Sequence, residues 1–382
     1  MNICILTQPL GHNYGGLLQA YALQRYLKNI GCDVETLDRR SPGNTSIPIK
    51  TQLINVIRLL VGRIKSIPTT KKQLLVLKNL AEFRDQRLTM TKTVTSEEEI
   101  RDYARNQNID AFIVGSDQVW RPCYSPSILN FYLDFLDDVP SPAKRISYAA
   151  SFGVDEWEYQ DEVTKRCKTL IKKFDAVSVR EQSAVELCKS KLDTNAEWVV
   201  DPTLLLEVAD YQSLIDTCEI NHNKDCIISY VLDSGADKRS IANIVSNSVN
   251  KKVVSIKPEN KISQFRSKDI NKCVYPKVEK WLQSIKDSSF VVTDSFHGTV
   301  FAILFNRPFI AIGNSRRGMA RFESLLSRFG LVNRLVENSN EVTQELIKQK
   351  IDWASVNKIR EQQAEYGRAF IQKNLFNDKL ND

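Results

Sequence analysis

Short apolar runs alternate with segments of helical period along most of the chain. The runs at 2–7, 33–38, 110–115, 145–151 and 175–180 predict strands. Between them lie amphipathic stretches: Leu17, Leu18, Tyr21, Leu23, Leu27 and Ile30 make one apolar face, and 155–173 predicts a second helix. A second series begins at 226–233 and continues through 251–258, 289–295 and 308–313, again with helices between. Strands that alternate with helices build βαβ units and parallel sheets, so the pattern predicts an α/β protein. Two Rossmann-like domains should face each other across a cleft, residues 1–205 and 206–340, with the segment EWVVDPTLLL (197–206) and its Pro202 crossing between them. Residues 341–382 predict a helical segment packing back on the first domain. A helical insertion is expected over about 42–90, with helices near 52–64 and 72–88.

Charge changes the picture in one place. Nine basic residues (Arg39, Arg40, Lys50, Arg58, Arg63, Lys65, Lys71, Lys72, Lys78) and no acid lie between Arg39 and Ala81. They account for the net charge of +7, since the remainder carries 44 basic against 46 acidic residues. A near-neutral remainder without a nucleic-acid motif argues against nucleic acid as a partner. The basic stretch reads either as a solvated helical face or as a peripheral surface for anionic head groups or a lipid pyrophosphate at the inner face of the plasma membrane. The 382 residues, 42% hydrophobic and 26% charged, describe a folded protein of ordinary composition. Eight cysteines without a C-x-x-C pair suggest reduced thiols in a cytoplasmic protein, and neither a metal nor a cofactor is expected. The N-terminus lacks the charged and apolar regions of a signal peptide, and no apolar run is long enough to span a membrane.

Candidate chemistry collects at predicted strand ends, where open α/β sheets bind ligands. His297 follows the strand FVVTDS and opens the helix HGTVFAILFN; the helix end there favours a bound anion over a protonated ring, and the alternative is a packed structural histidine. Arg180 ends the strand DAVSV, where a guanidinium fork suits a carboxylate or phosphate, or else a salt bridge. Ser116, Asp117 and Gln118 follow DAFIVG; Asp117 could serve as a general base and Trp120 could stack on a sugar, or the turn could be a simple Asx turn. The loop before the first helix holds His12, Gly11, Gly15 and Gly16 without forming a nucleotide fingerprint, and His222 reads as a solvated turn. Arg316, Arg317 and Arg321 follow the last strong strand as candidate anion ligands or solvated surface.

The segments NYGGLLQAYAL (13–23), FIVGSDQVW (112–120), SYAASFG (147–153), SVRE (178–181), VVDPTLLL (199–206) and TDSFHGTVFAILFNRPFIAI (293–312) resemble the polysaccharide pyruvyl transferase family. The resemblance implies a fold similar to the two-domain, GT-B type glycosyltransferases. It also implies transfer of pyruvate from phosphoenolpyruvate, a co-substrate, to two hydroxyls of a hexose as a ketal. The acceptor would be galactose-type and lipid-pyrophosphate- or nucleotide-linked, in bacterial surface-polysaccharide synthesis. His297 would be the acid/base residue, with Asp117 as second choice. The donor would lie against Arg180, Ser295, Gly298, Thr299, Arg316 and Arg317, and the acceptor against Asn13, Gly15, Gly16 and Trp120. Cell-wall members carry Arg-Leu-His where this chain has Ser295-Phe296-His297. Either Arg316, Arg317 or Arg321 takes over the missing charge, or the donor differs. The alternatives are a glycosyltransferase using a nucleotide-sugar on the same architecture and a non-catalytic sugar or lipid-carrier binding protein.

Overall fold

The computed structural model describes residues 1–11, 13–41, 49–139, 143–217, 225–233, 235–258, 262–264, 267–313 and 318–376. The first sheet contains β1 (Asn2–Leu6), β2 (Asp33–Leu37), β3 (Ala111–Asp117), β4 (Lys144–Ala150), β5 (Ala176–Val179) and β6 (Glu197–Trp198). All its pairings are parallel, in the order β2-β1-β3-β4-β5-β6. The second sheet contains β7 (Ile227–Tyr230), β8 (Val253–Ser255), β9 (Phe290–Thr293), β10 (Phe309–Ile312) and β11 (Leu335–Val336). It too is parallel, in the order β11-β10-β9-β7-β8. Parallel sheets carry helices on both faces, so their central strands are buried on both sides and read as continuous apolar runs. Ile3, Cys4, Ile5 and Leu6 are all buried, as are all four residues of β9 and of β10.

The expected insertion leaves β2 and returns at β3 through helices Ile49–Leu60, Thr70–Val76, Lys78–Arg87 and Glu97–Asn106. The helix expected over 72–88 is two, broken at Leu77, whose backbone caps both. These two helices lean on the second domain: Tyr275 N donates to Val76 O (2.9 Å) and Asn79 Nδ2 to Tyr275 O (2.7 Å). Helix Trp353–Phe376 lies against the first domain, where Phe370 meets the ring of Tyr148 and Arg368 donates to Leu205 O. Among the described residues no helix is long and apolar enough to cross a membrane, and the seven described cysteines are free.

One apolar core runs between the two sheets, and each sheet has a further cluster of its own. Helix Tyr14–Asn29, which follows β1, packs on helix Phe296–Leu304, which follows β9. Tyr14 of the first domain stacks on Trp281 of the second (5.1 Å between centroids, 14° between planes), and Tyr230 and Tyr275 close around the pair. The carboxyl ends of both sheets are thereby held face to face.

Candidate active site

A cavity of about 290 Å³ opens where the two sets of strand ends meet. The first domain contributes Asn13, Gly15 and Asp117 to its wall; the second contributes Tyr230, Ser295, His297 and Arg321. Each residue is placed by local structure. Asn13 caps helix Tyr14–Asn29 through Oδ1, which accepts from Gly16 N at 2.6 Å. Ser295 caps the facing helix by accepting from Gly298 N at 3.2 Å. The two helix N-termini are therefore brought together, with Gly15 directly under the His297 ring. A Cβ on Gly15 would collide with Nδ1, so only glycine lets the imidazole seat there.

Beneath the histidine lies a carboxylate that the sequence patterns do not single out. Asp201 stands three residues past β6, where its Oδ1 caps the turn at Pro202 by accepting from Thr203 N (3.0 Å) and Oγ1 (2.7 Å). Its Oδ2 accepts from Arg180 Nη1 (2.8 Å) and Ser116 Oγ (3.0 Å), and stands 3.5 Å from His297 Nε2. Burial alone would push this carboxyl up, but the neighbouring His297 and Arg180 outweigh it and hold Asp201 well below the usual carboxylate range. Nε2 is buried and faces this carboxylate without a well-formed hydrogen bond. A carboxylate there favours the tautomer with its proton on Nε2, which leaves Nδ1, over Gly15, as the nitrogen able to take a proton.

Two guanidiniums flank Phe296. Arg180 Cζ lies 4.3 Å from its ring centroid and Arg321 Cζ lies 6.0 Å from it. Arg180 is packed behind this ring rather than in the cavity wall; Nη1 is committed to Asp201, while Nε and Nη2 have no hydrogen-bond partner among the described residues. Arg321, on helix Met319–Arg328, is in the wall. Burial first, then the charge of Arg180, pulls Arg321 down to about 10, so it remains a cation at neutral pH. The closing contact between the domains runs beside it: a Cβ on Gly318, at φ +93°, would collide with Gly153 O of the first domain. Asp117 also holds a left-handed backbone (φ 73°), with Oδ1 accepting from Gln118 N and 4.0 Å from Arg180 Nη2.

Several expectations need correction. Trp120 cannot stack on a sugar: its ring is fully buried, stacked on Tyr132 (5.2 Å), with Nε1 donating to Phe131 O. Gly298 N is occupied by the Ser295 cap, and the Thr299 hydroxyl, wholly buried, donates to Ser295 O; neither offers a donor to a ligand. Gly16 N is likewise taken by Asn13. His12, His222, Arg316 and Arg317 lie outside the described residues. Of the three arginines expected after the last strong strand, Arg321 is in the wall; Asp201, which was not expected, lies beneath His297, and Asp294, in the wall, is a structural pin that accepts from Leu232 N (2.6 Å), Asp233 N (3.1 Å) and Lys238 Nζ (2.6 Å). Among the described residues no group of three His, Cys, Asp or Glu is placed to hold a metal ion.

Two facing parallel α/β domains with a ligand-sized cleft at their strand ends define the GT-B class of architecture, and solved structures agree. The chain is similar to a UDP-GlcNAc 2-epimerase from Neisseria meningitidis bound to UDP-GlcNAc (TM-score 0.53, 10% identity, 99% of this chain and 100% of that one). It is also similar to a putative UDP-N-acetylglucosamine 2-epimerase from Listeria monocytogenes (TM-score 0.51, 10% identity, 100% and 98%). A third likeness is to Arabidopsis thaliana UGT89C1 complexed with UDP (TM-score 0.50, 12% identity, 98% and 97%). At these identities the likeness is one of fold. No curated protein matches the chain. The chain belongs to the polysaccharide pyruvyl transferase family, whose model matches residues 13–316, and the family makes it a transferase of polysaccharide biosynthesis.

Proposed function

We propose that this chain moves pyruvate from phosphoenolpyruvate onto two hydroxyls of a hexose as a ketal. In this reading the hexose is galactose-type, carried on a lipid pyrophosphate or a nucleotide, and the product serves bacterial surface-polysaccharide synthesis. The observation that carries the reading is the His297–Asp201 contact beside two buried guanidiniums at a helix N-terminus. Phosphoenolpyruvate bears a carboxylate and a phosphate, and such a ligand calls for fixed cations and oriented N–H groups. Arg321 supplies a cation in the wall where Ser295 stands in place of the arginine of cell-wall members, while Arg180, paired with Asp201, holds that carboxylate under His297.

The chemistry needs one proton delivered to the methylene carbon and two removed from the acceptor. Protonation of that carbon makes C2 electrophilic; one sugar oxygen bonds to C2, the C2–O bond to phosphate breaks, and the second oxygen closes the ketal. Of the two hydroxyl protons, one replaces the proton spent on the methyl group and the other leaves with phosphate. His297 Nδ1 is the group assigned to this traffic, with Asp117 as the second acid/base candidate.

Phosphate release from phosphoenolpyruvate with a panel of hexose acceptors should fall about a hundredfold or more in His297→Ala. Phosphoenolpyruvate at 100 times its Kd should stabilise the wild type by about 2.7 kcal/mol, and Arg321→Ala should abolish that shift. Stabilisation by a UDP-sugar and none by phosphoenolpyruvate would overturn the reading.

A further inference from the structure

Fourteen large hydrophobic side chains are exposed among the described residues, and eight of them fall between Ile54 and Leu75. Helix Ile49–Leu60 buries Asn55 (8% exposed) and turns its apolar side outward: Ile57 is 60% exposed, Leu60 81% and, just past the helix, Val61 61%. At 100° per residue, Val56, Leu60, Ile57, Val61 and Ile54 cover one broad face, with Arg58 at its margin. Leu74, on the next helix, adds a further apolar side chain at 68% exposure. A helix that hides an asparagine and shows leucine and isoleucine is built for something other than water.

Charge selects what covers it. Arg58, Arg63, Lys65 and Lys71 are exposed, and none pairs with a carboxylate among the described residues. No acid falls in the sequence between Arg39 and Ala81; Arg39 and Arg40, at its start, pair with Glu97 and Asp38, and the excess charge that remains belongs to the helical part of the insertion. A second copy of this chain is disfavoured, because a two-fold contact would set this basic face against itself. A surface that is apolar and anionic satisfies both features, and a helix of this length lies in an interface rather than crossing it. We propose that the face formed by Ile54, Ile57, Leu60 and Val61, with Arg58, Arg63 and Lys71 around it, docks the protein on an anionic lipid bilayer. The same insertion lies against the first domain near the cavity, since Arg84 of helix Lys78–Arg87 is close to Gly11, two residues before Asn13.

The test is sedimentation of the full chain with vesicles of phosphatidylcholine alone and of phosphatidylcholine mixed with phosphatidylglycerol. Binding is expected to the mixed vesicles, weakened by salt and by Arg58→Glu with Arg63→Glu. Ile57→Asp with Leu60→Asp should reduce binding about a hundredfold, at roughly tenfold for each apolar side chain withheld from lipid. All four positions are exposed, so circular dichroism and Tm should match the wild type and show that folding is intact. Equal binding to neutral vesicles, no binding to either, or binding indifferent to Ile57→Asp with Leu60→Asp would overturn the proposal. So would sedimentation velocity without lipid showing a dimer that these substitutions dissolve, which would assign the face to a second copy.

Discussion

Asp201 is the residue on which the site's geometry converges. It accepts from Arg180 and Ser116 of the first domain and faces His297 of the second, with its side chain excluded from water. Replacing it with asparagine leaves the Arg180 guanidinium buried without its counter-charge, and breaking a buried pair from one side costs about 3–5 kcal/mol. Asp201→Asn should therefore lose that much stability in urea or thermal unfolding. The pH dependence has a fixed sign. The folded pKa is depressed below the ordinary value of 3.8, so the stabilisation is complete above that pH and lost as pH falls through the folded value. Wild type should lose stability more steeply than Asp201→Asn over the acid range, and urea midpoints measured down that range read the difference. Sequence reasoning passed over Asp201 because its partners come from β3, β5 and the helix after β9; nothing local to VVDPT marks the position as a meeting point. His297 and Asp117 were legible for the opposite reason: each lies at or just past the carboxyl end of a recognisable strand; Arg180 does too, but its side chain packs behind Phe296 rather than in the wall. Trp120 follows one too, but its ring turns inward to Tyr132, a destination that only the later loop reveals.

At the scale of elements, legibility followed the length of the apolar run: even β8, with no residue fully buried, lies in a run that predicts a strand. The central strands announce themselves because both faces are covered, whereas β6 and β11, two residues each, leave no run long enough to notice. Helix Phe296–Leu304 shows how one element serves two purposes. All nine of its residues are buried, so its stability rests on packing, but its first turn must also be closed, and Ser295 does this through Gly298 N. Ser295→Ala should cost about 1 kcal/mol by removing the cap. Ser295→Asp should restore that stability, since aspartate caps as well as serine, yet it places a negative charge in the cavity wall beside the expected anion. Tm close to wild type with affinity for phosphoenolpyruvate weakened about tenfold or more is the expected pair of results. A Tm loss equal to that of Ser295→Ala would show that position 295 does not act as a cap.

For the whole molecule, the question is what joins two sheets that could each have formed a separate domain. The alternation of strands and helices is enough to predict two α/β units, but it is silent on how firmly they are coupled. The structure places Tyr14 of the first unit on Trp281 of the second, with Tyr14 Oη donating to Pro276 O at 2.8 Å and Trp281 in turn edge-on to Phe301. This cluster is continuous with the cores of both units, so opening the cleft means separating apolar surface rather than breaking a few rim contacts. Tyr14 is also the residue between Asn13 and Gly15, so the brace and the cavity wall are one stretch of chain. Calorimetry of the wild type should show a single cooperative transition, because each unit keeps a cluster of its own on the outer face of its sheet but the larger cluster between the sheets is built from both. Truncating a buried aromatic costs about 3–5 kcal/mol, and Trp281→Ala removes the partner of Tyr14 as well as its own packing. That variant should unfold in two steps, the second sheet at lower temperature, and His297 should lose its seat over Gly15 before either sheet melts. Two resolved transitions already present in the wild type would show instead that the aromatic brace does not couple the units and that the cavity depends on ligand to close.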